Sequence, residues 1–331
     1  MKAAAVVGVR DIEVVDIPIP KVEHDGVLIK VKACGVCGSD LHVYNSGLLV
    51  EDSTKQISGF SIIGHEFAGE VVEVGRDVKD FEIGDRVSSI HNKGGMAEYC
   101  EVHGDKLKNL FKMPEAVSYE AAATLEPLCN PIHSFHLRVP KDNETVAIFG
   151  LGAIGLGYLQ ILKTYRKSKA IAVDISKIRL DMARRLGADV VIDANREDPV
   201  DRIKELTGSY YVRYHRKTAG GCDISVDCAG IPLTFQQSLE VLKPVGGTAI
   251  IAAIYEKSVE VDPNMILFKY MKVLGSMGYT EEEAKEGVEL ISQGRVNREI
   301  LITHRFPLEK AAEAFLVQND PNASIKVLIL D

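Results

Sequence analysis

The chain has 331 residues, 46% of them apolar and 26% charged, with a formal net charge of −8. That length can hold two domains with separate cores, and the composition is that of an ordinary soluble globular protein. An acidic balance excludes a protein built to neutralise phosphate backbones and gives no purchase on anionic lipid, so neither nucleic acid nor membrane is an expected partner.

The chain opens on a strand-like run that reaches Arg10 and Asp11 at once, so no secretory segment is expected. Residues 1–110 are rich in Val, Ile and Gly, with short alternating runs such as 26–32 bounded by Gly, Pro and Asp; they predict antiparallel strands of a small barrel or sandwich. The texture changes at Glu144. A buried strand over 145–149 leads into Gly150-Leu151-Gly152-Ala153-Ile154-Gly155, and a helical pattern follows over 156–165. The stretch 145–162 carries no charge, but its glycines divide it into strand, turn and helix rather than a membrane span.

Strands over 170–173, 190–192, 224–227 and 248–252 then alternate with helices over 175–186, 199–206 and 233–242. Such alternation means a parallel sheet covered on both faces. The basic, aromatic run 210–217 reads as a solvated loop. A helix over 281–292, a strand over 300–304, a helix over 308–318 and a strand over 325–330 close the chain, and this tail is expected to return to the first domain.

A bare G-x-G-x-x-G is a weak signal in a chain with 28 glycines, but here it follows a strand and opens a helix, the context a dinucleotide site requires. Gly150 permits the tight turn, Gly152 admits the pyrophosphate, and Gly155 lets helix and strand pack closely. Asp174 ends the next strand, where a carboxylate accepts from the adenosine ribose hydroxyls and repels a 2′-phosphate; NAD is therefore expected over NADP. Arg179, nearby, can stack on adenine or meet a phosphate.

The six cysteines show no disulfide framework, which points to the cytosol. Cys34-x-x-Cys37 suits a redox pair or half a zinc site, and spacing leaves both open. Cys37, His65 and Glu126 come from three segments and could close on one metal ion, with Glu66 as a fourth ligand or an exchanging neighbour. Each also has a bland reading: a buried thiol, a turn-capping histidine, an acid paired with arginine, and an acid at a helix start.

The wider pattern decides between these. Cys34-Gly35-Val36-Cys37-Gly38-Ser39-Asp40, Gly64-His65-Glu66, Gly84-Asp85-Arg86-Val87, Val226-Asp227-Cys228-Ala229-Gly230 and Pro244-Val245-Gly246-Gly247 together resemble the medium-chain, zinc-dependent alcohol and polyol dehydrogenases over nearly the whole chain. The resemblance implies a GroES-like, mostly antiparallel β catalytic domain over 1–128 and 276–331. It implies a Rossmann, doubly wound parallel-sheet domain over 129–275. It places metal ligands on Cys37, His65 and Glu66, with Glu126-Pro127-Leu128 at the remaining position marking the sorbitol and butanediol branch. It further assigns proton-relay roles to Ser39 and His42 and a substrate-lining role to Tyr44, and leaves Cys34 as core.

One departure is clear. Most members of the family carry a lobe with four cysteines after Gly-Asp-Arg-Val, whereas 88–95 here is a short loop without cysteine, so one catalytic zinc and no structural zinc is expected. His91 in that loop reads as solvated, and His133 and His136 as structural. The segment 208–221 is longer than the family's usual connection. The implied activity is hydride transfer between a polyol or vicinal diol and NAD, in a homodimer or homotetramer whose contact 248–275 supplies. The rivals are a threonine-type amino-alcohol dehydrogenase or reductase of the same fold, and a nucleotide-binding protein without catalysis.

Overall fold

Strands with alternating apolar residues need partners on both edges, and the 26–35 run finds them. In a computed structural model that describes residues 1–47, 50–212 and 217–331, apart from the side chain of Asp52, Gly26–Gly35 is buried along most of its length. It lies inside a seven-stranded sheet ordered Ile302–Pro307, Lys326–Leu330, Gly26–Gly35, Glu66–Val74, Arg86–Ser89, Leu110–Lys112, with Tyr99–His103 also paired to Gly26–Gly35. The pairing is antiparallel except that Ile302–Pro307 runs parallel to Lys326–Leu330. A second, four-stranded sheet is ordered Asp11–Asp16, Lys2–Gly8, Phe60–Ile62, Lys55–Ile57. Ile29, Phe67, Val71, Val87 and Phe315 are among the side chains of the core beneath them.

The C-terminal tail belongs to this first unit, which comprises Met1–Pro127 and Glu281–Asp331. The expected helix over 308–318 starts as a 3-10 turn, Leu308–Lys310, before Ala311–Asn319 becomes α-helical. The expected strand over 300–304 is displaced to Ile302–Pro307 by another such turn, Glu299–Leu301.

The second unit, Leu128–Thr280, is a six-stranded parallel sheet ordered Val190–Asp193, Lys169–Asp174, Thr145–Phe149, Ile224–Asp227, Thr248–Ile251, Lys272–Gly275. All its pairings are parallel, and the order reverses between Thr145–Phe149 and Ile224–Asp227, as in a doubly wound fold. The unit runs past the expected boundary at 275 because Ser276 N–H donates to the Ile251 carbonyl and its hydroxyl lies 2.8 Å from that of Ser134.

The glycine-turn helix is Ala153–Tyr165, three residues longer at its start than the apolar pattern suggested, and it buries Leu156, Leu159, Ile161 and Leu162. Pro199–Thr207 and Pro263–Lys269 each begin on a proline and are capped by the preceding aspartate, Asp198 and Asp262. The segment expected to be a solvated loop contains a two-stranded ribbon, Tyr210–Val212 against Lys217–Ala219; 213–216 lie outside the described residues. Among the described residues, no helix is long and apolar enough to cross a membrane.

Candidate active site

Two strand ends and one helix start deliver the metal-ligand candidates. Glu66 begins the Glu66–Val74 strand directly opposite Gly35, the last residue of its neighbour. Just before it, Gly64 adopts φ +99°, and a Cβ there would sit 2.8 Å from both Cys34 Sγ and the Met96 backbone nitrogen. Only glycine makes that turn and sets His65 beyond it. Past Gly35 the chain reaches Cys37, the N-cap of the Gly38–Ser46 helix, whose N–H donates to Asp40 Oδ2 at 2.9 Å. The ligand atoms of Cys37, His65 and Glu66 consequently lie within 4.8 Å of one another.

Asp40 is a member of the site that sequence reasoning missed. It is fully buried, and its Oδ1 is 3.5 Å from His65 Nδ1, an ion-pair distance rather than a hydrogen bond. With Nδ1 turned to this carboxylate, Nε2 is the nitrogen left for a cation, the usual arrangement behind a metal-bound histidine. Burial opposes the charge on His65, but Asp40 and then Cys37 outweigh it and hold its pKa well above the ordinary value. Burial pushes the Cys37 thiol up, as does Glu66, while His65 pulls it back.

Lys326 was missed as well. Its ammonium is 3% exposed, donates to the Val36 carbonyl at 2.9 Å and forms an ion pair with Glu66, which is 1% exposed. Neither Glu66 oxygen has a hydrogen-bond partner of acceptable geometry, so the carboxylate is charge-balanced but under-coordinated. A side chain at Gly35 would overlap both Glu66 Oε2 and Lys326. A thiol, an imidazole and a carboxylate short of hydrogen-bond donors, all converging, suit a zinc ion.

Glu126, the second residue of the Leu125–Leu137 helix, is 7% exposed and stands outside the 4.8 Å group, although its charge acts on Cys37. The structure thus brings three of the four candidate ligands together and holds the fourth beside them. His91 is exposed, at φ +61°, yet lies near enough to feel Glu126 and His65; partial burial lowers its pKa. Ser39 and His42 are half-buried on the Gly38–Ser46 helix. Tyr44 is 5% exposed, its ring 5.5 Å from that of Phe315, because 40, 43 and 44 form the buried face of the helix, the face that also carries Asp40 to His65. Cys34 is also core. His133 is half-buried, and His136 is exposed beside Phe135.

In the second unit Gly150 sits at φ +85°, and Gly155 packs so closely that a Cβ would overlap the Gly150 carbonyl. Gly152 caps the helix without a side-chain hydrogen bond, no acid occupies the first turn, and nothing lies within 4 Å of where its Cβ would be. The first-turn residues Ala153 and Ile154 are half-buried beside it. An open helix N-terminus of this kind suits a pyrophosphate. Asp174 does more than expected. It accepts from Leu151 N–H at 2.5 Å, Ile175 N–H at 2.7 Å and Ser176 N–H at 2.8 Å, tying the glycine turn to the next strand. Of a carboxylate's roughly four acceptor positions, about one remains for a ribose hydroxyl. Arg179 is half-buried on the following helix, Lys177–Arg185.

Residues 23–117 match the alcohol dehydrogenase GroES-like domain family, and residues 153–293 the zinc-binding dehydrogenase family. The chain is 31% identical to (R,R)-butanediol dehydrogenase of Bacillus subtilis over 99% of each chain. It is 29% identical to sorbitol dehydrogenase of the same organism, over 95% of this chain and 92% of that one. The crystal structure of 2R,3R-butanediol dehydrogenase from Bacillus subtilis superposes with a TM-score of 0.86 at 30% identity, covering 100% of this chain and 99% of that one.

Proposed function

This chain belongs to the medium-chain, zinc-binding alcohol and polyol dehydrogenases, and on that premise we propose that it transfers a hydride between a polyol or vicinal diol and NAD, with one catalytic zinc per subunit. The observation that carries this reading is the convergence of Cys37, His65 and Glu66 within 4.8 Å, backed by Asp40 and Lys326. The names of two relatives, butanediol and sorbitol dehydrogenase, and the run Glu126-Pro127-Leu128 support the choice of substrate class.

Zinc, when bound, supplies a Lewis acid for the substrate oxygen, and NAD supplies the acceptor for the hydride. Cys37, His65 and Glu66 would hold the ion, with Glu126 as the fourth candidate. Asp40 lies on the Nδ1 side of His65, which would leave Nε2 as the ligand nitrogen. Lys326 balances the Glu66 charge where both side chains are almost wholly enclosed. Ser39 would accept the substrate's hydroxyl proton as it releases its own toward His42, on the same helix, which would pass a proton to solvent. Backbone N–H groups at Gly152, Ala153 and Ile154 would hold the pyrophosphate, Asp174 would favour NAD over NADP through the ribose hydroxyls, and Arg179 would flank the adenosine.

The short cysteine-free loop 88–95 supports the absence of a structural zinc. A homodimer or homotetramer would use the edge strand Lys272–Gly275, and six free cysteines suit the cytoplasm. Initial rates on zinc-loaded enzyme with polyols, diols and amino alcohols, each with NAD and NADP, test the reading. Diol or polyol turnover with NAD is expected, with loss of both zinc and activity in Cys37→Ala; turnover of threonine alone moves the chain to the amino-alcohol dehydrogenases.

A further inference from the structure

The Ile224–Asp227 strand ends on a buried acid that no step above uses. Asp227 is fully buried. Its carboxylate accepts from Ala229 N–H at 2.9 Å, from the Thr234 hydroxyl at 3.1 Å and, in a short bond, from the Tyr255 hydroxyl. Those donors belong to three separate pieces of chain: the turn that leaves this strand, the first turn of the Pro232–Glu240 helix, and the loop that leaves Thr248–Ile251. Burying a carboxylate is costly unless its hydrogen bonds are met, so a group held this way commits all three pieces to one arrangement.

What those pieces surround is the ligand side of the sheet. Asp227 lies in register with Phe149, the residue before the glycine turn, and Cys228 N–H donates to the Phe149 carbonyl. The Ala229 backbone touches the glycine turn so closely that a Cβ on Gly150 would lie 2.7 Å from Ala229 N. On its other side, Gly230 at φ +71° abuts Ile254 and Ala253. The turn 228–230 is therefore clamped between the glycine turn and the 252–255 loop, at the point where the strand order reverses. Dinucleotides lie across that point, and with the adenosine ribose at Asp174 the other half falls on the Asp227 side.

We propose that Asp227, with Tyr255 and Thr234, is a clasp of positioning residues that pre-forms the nicotinamide half of the dinucleotide site and leaves the adenosine half untouched. Asp227 cannot meet the cofactor itself, being wholly enclosed; it acts through the backbone of 228–230 and 252–255. The proposal rests on the dinucleotide reading given above. Pre-organised loops bind more tightly because less ordering remains to be done on binding.

The test compares NADH with ADP, which lacks the nicotinamide half, on zinc-loaded wild type, Tyr255→Phe and Thr234→Val. NADH is followed by fluorescence and ADP by calorimetry. Tyr255→Phe is expected to weaken NADH by about tenfold, the worth of one hydrogen bond to a charged group, with ADP affinity unchanged; Thr234→Val should act in the same sense and less. Equal losses for both ligands, or no loss for either, overturn the clasp. A wild type that binds neither ligand overturns the dinucleotide reading, and the clasp with it.

Discussion

Glu66 and Lys326 come from opposite ends of the chain and meet in a site where both are almost wholly enclosed. Removing one member of a buried pair leaves an uncompensated charge, a change that costs about 3–5 kcal/mol. Lys326→Met is therefore expected to destabilise metal-free protein by that order. With zinc bound, the cation takes over the neutralisation of Glu66, so the rise in Tm on adding zinc should be larger in Lys326→Met than in wild type. Equal rises would show that the ammonium and the metal do not share this carboxylate. Cys37, His65 and Glu66 were legible because each sits in a short local pattern. Lys326 was not, since strand pairing at the far end of the chain carries it there and nothing near it in sequence marks it. Asp40 left a trace, an acid three residues after the helix-capping Cys37. The 40, 43, 44 spacing likewise marked the buried side of that helix, on which Asp40 and Tyr44 both lie.

At the scale of elements, the glycine turn separates two reasons for having no side chain. A Cβ on Gly155 would overlap a backbone carbonyl that cannot retreat, whereas one on Gly152 would meet open space. Gly155→Ala should lower Tm by several degrees, because strand and helix must part to make room. Gly152→Ala should leave Tm unchanged and weaken NADH by tenfold or more, since the added methyl can clash only with what binds there. A Gly152→Ala protein that binds NADH as wild type does would remove the pyrophosphate from this turn. The parallel strands and their helices were readable because buried strands are continuous apolar runs and covering helices keep their period. The Tyr210–Val212 and Lys217–Ala219 ribbon was not, its outer residues being exposed and mostly polar or aromatic. Lys272–Gly275 escaped for a related reason: as an edge strand it is nowhere fully buried and shows no clean alternation.

For the molecule as a whole, the order of elements along the chain made a two-part protein legible, but not which strands would be neighbours. Lys326–Leu330 lies between Ile302–Pro307 and Gly26–Gly35, so the final strand bridges the tail to the middle of the first unit's sheet. It also brings Lys326 to Glu66. Deleting residues 325–331 would strip Ile302–Pro307 of its partner, expose an edge of Gly26–Gly35 and leave Glu66 buried with no counter-charge. The second unit, Leu128–Thr280, has its own sheet and its own apolar clusters and loses no strand. The truncated chain is therefore expected to lose zinc binding while still binding NADH. Zinc content by elemental analysis and NADH fluorescence on the same sample decide the matter. Loss of both together would mean that the two units fold as one cooperative body, and retention of stoichiometric zinc would mean that the final strand does not support the metal site.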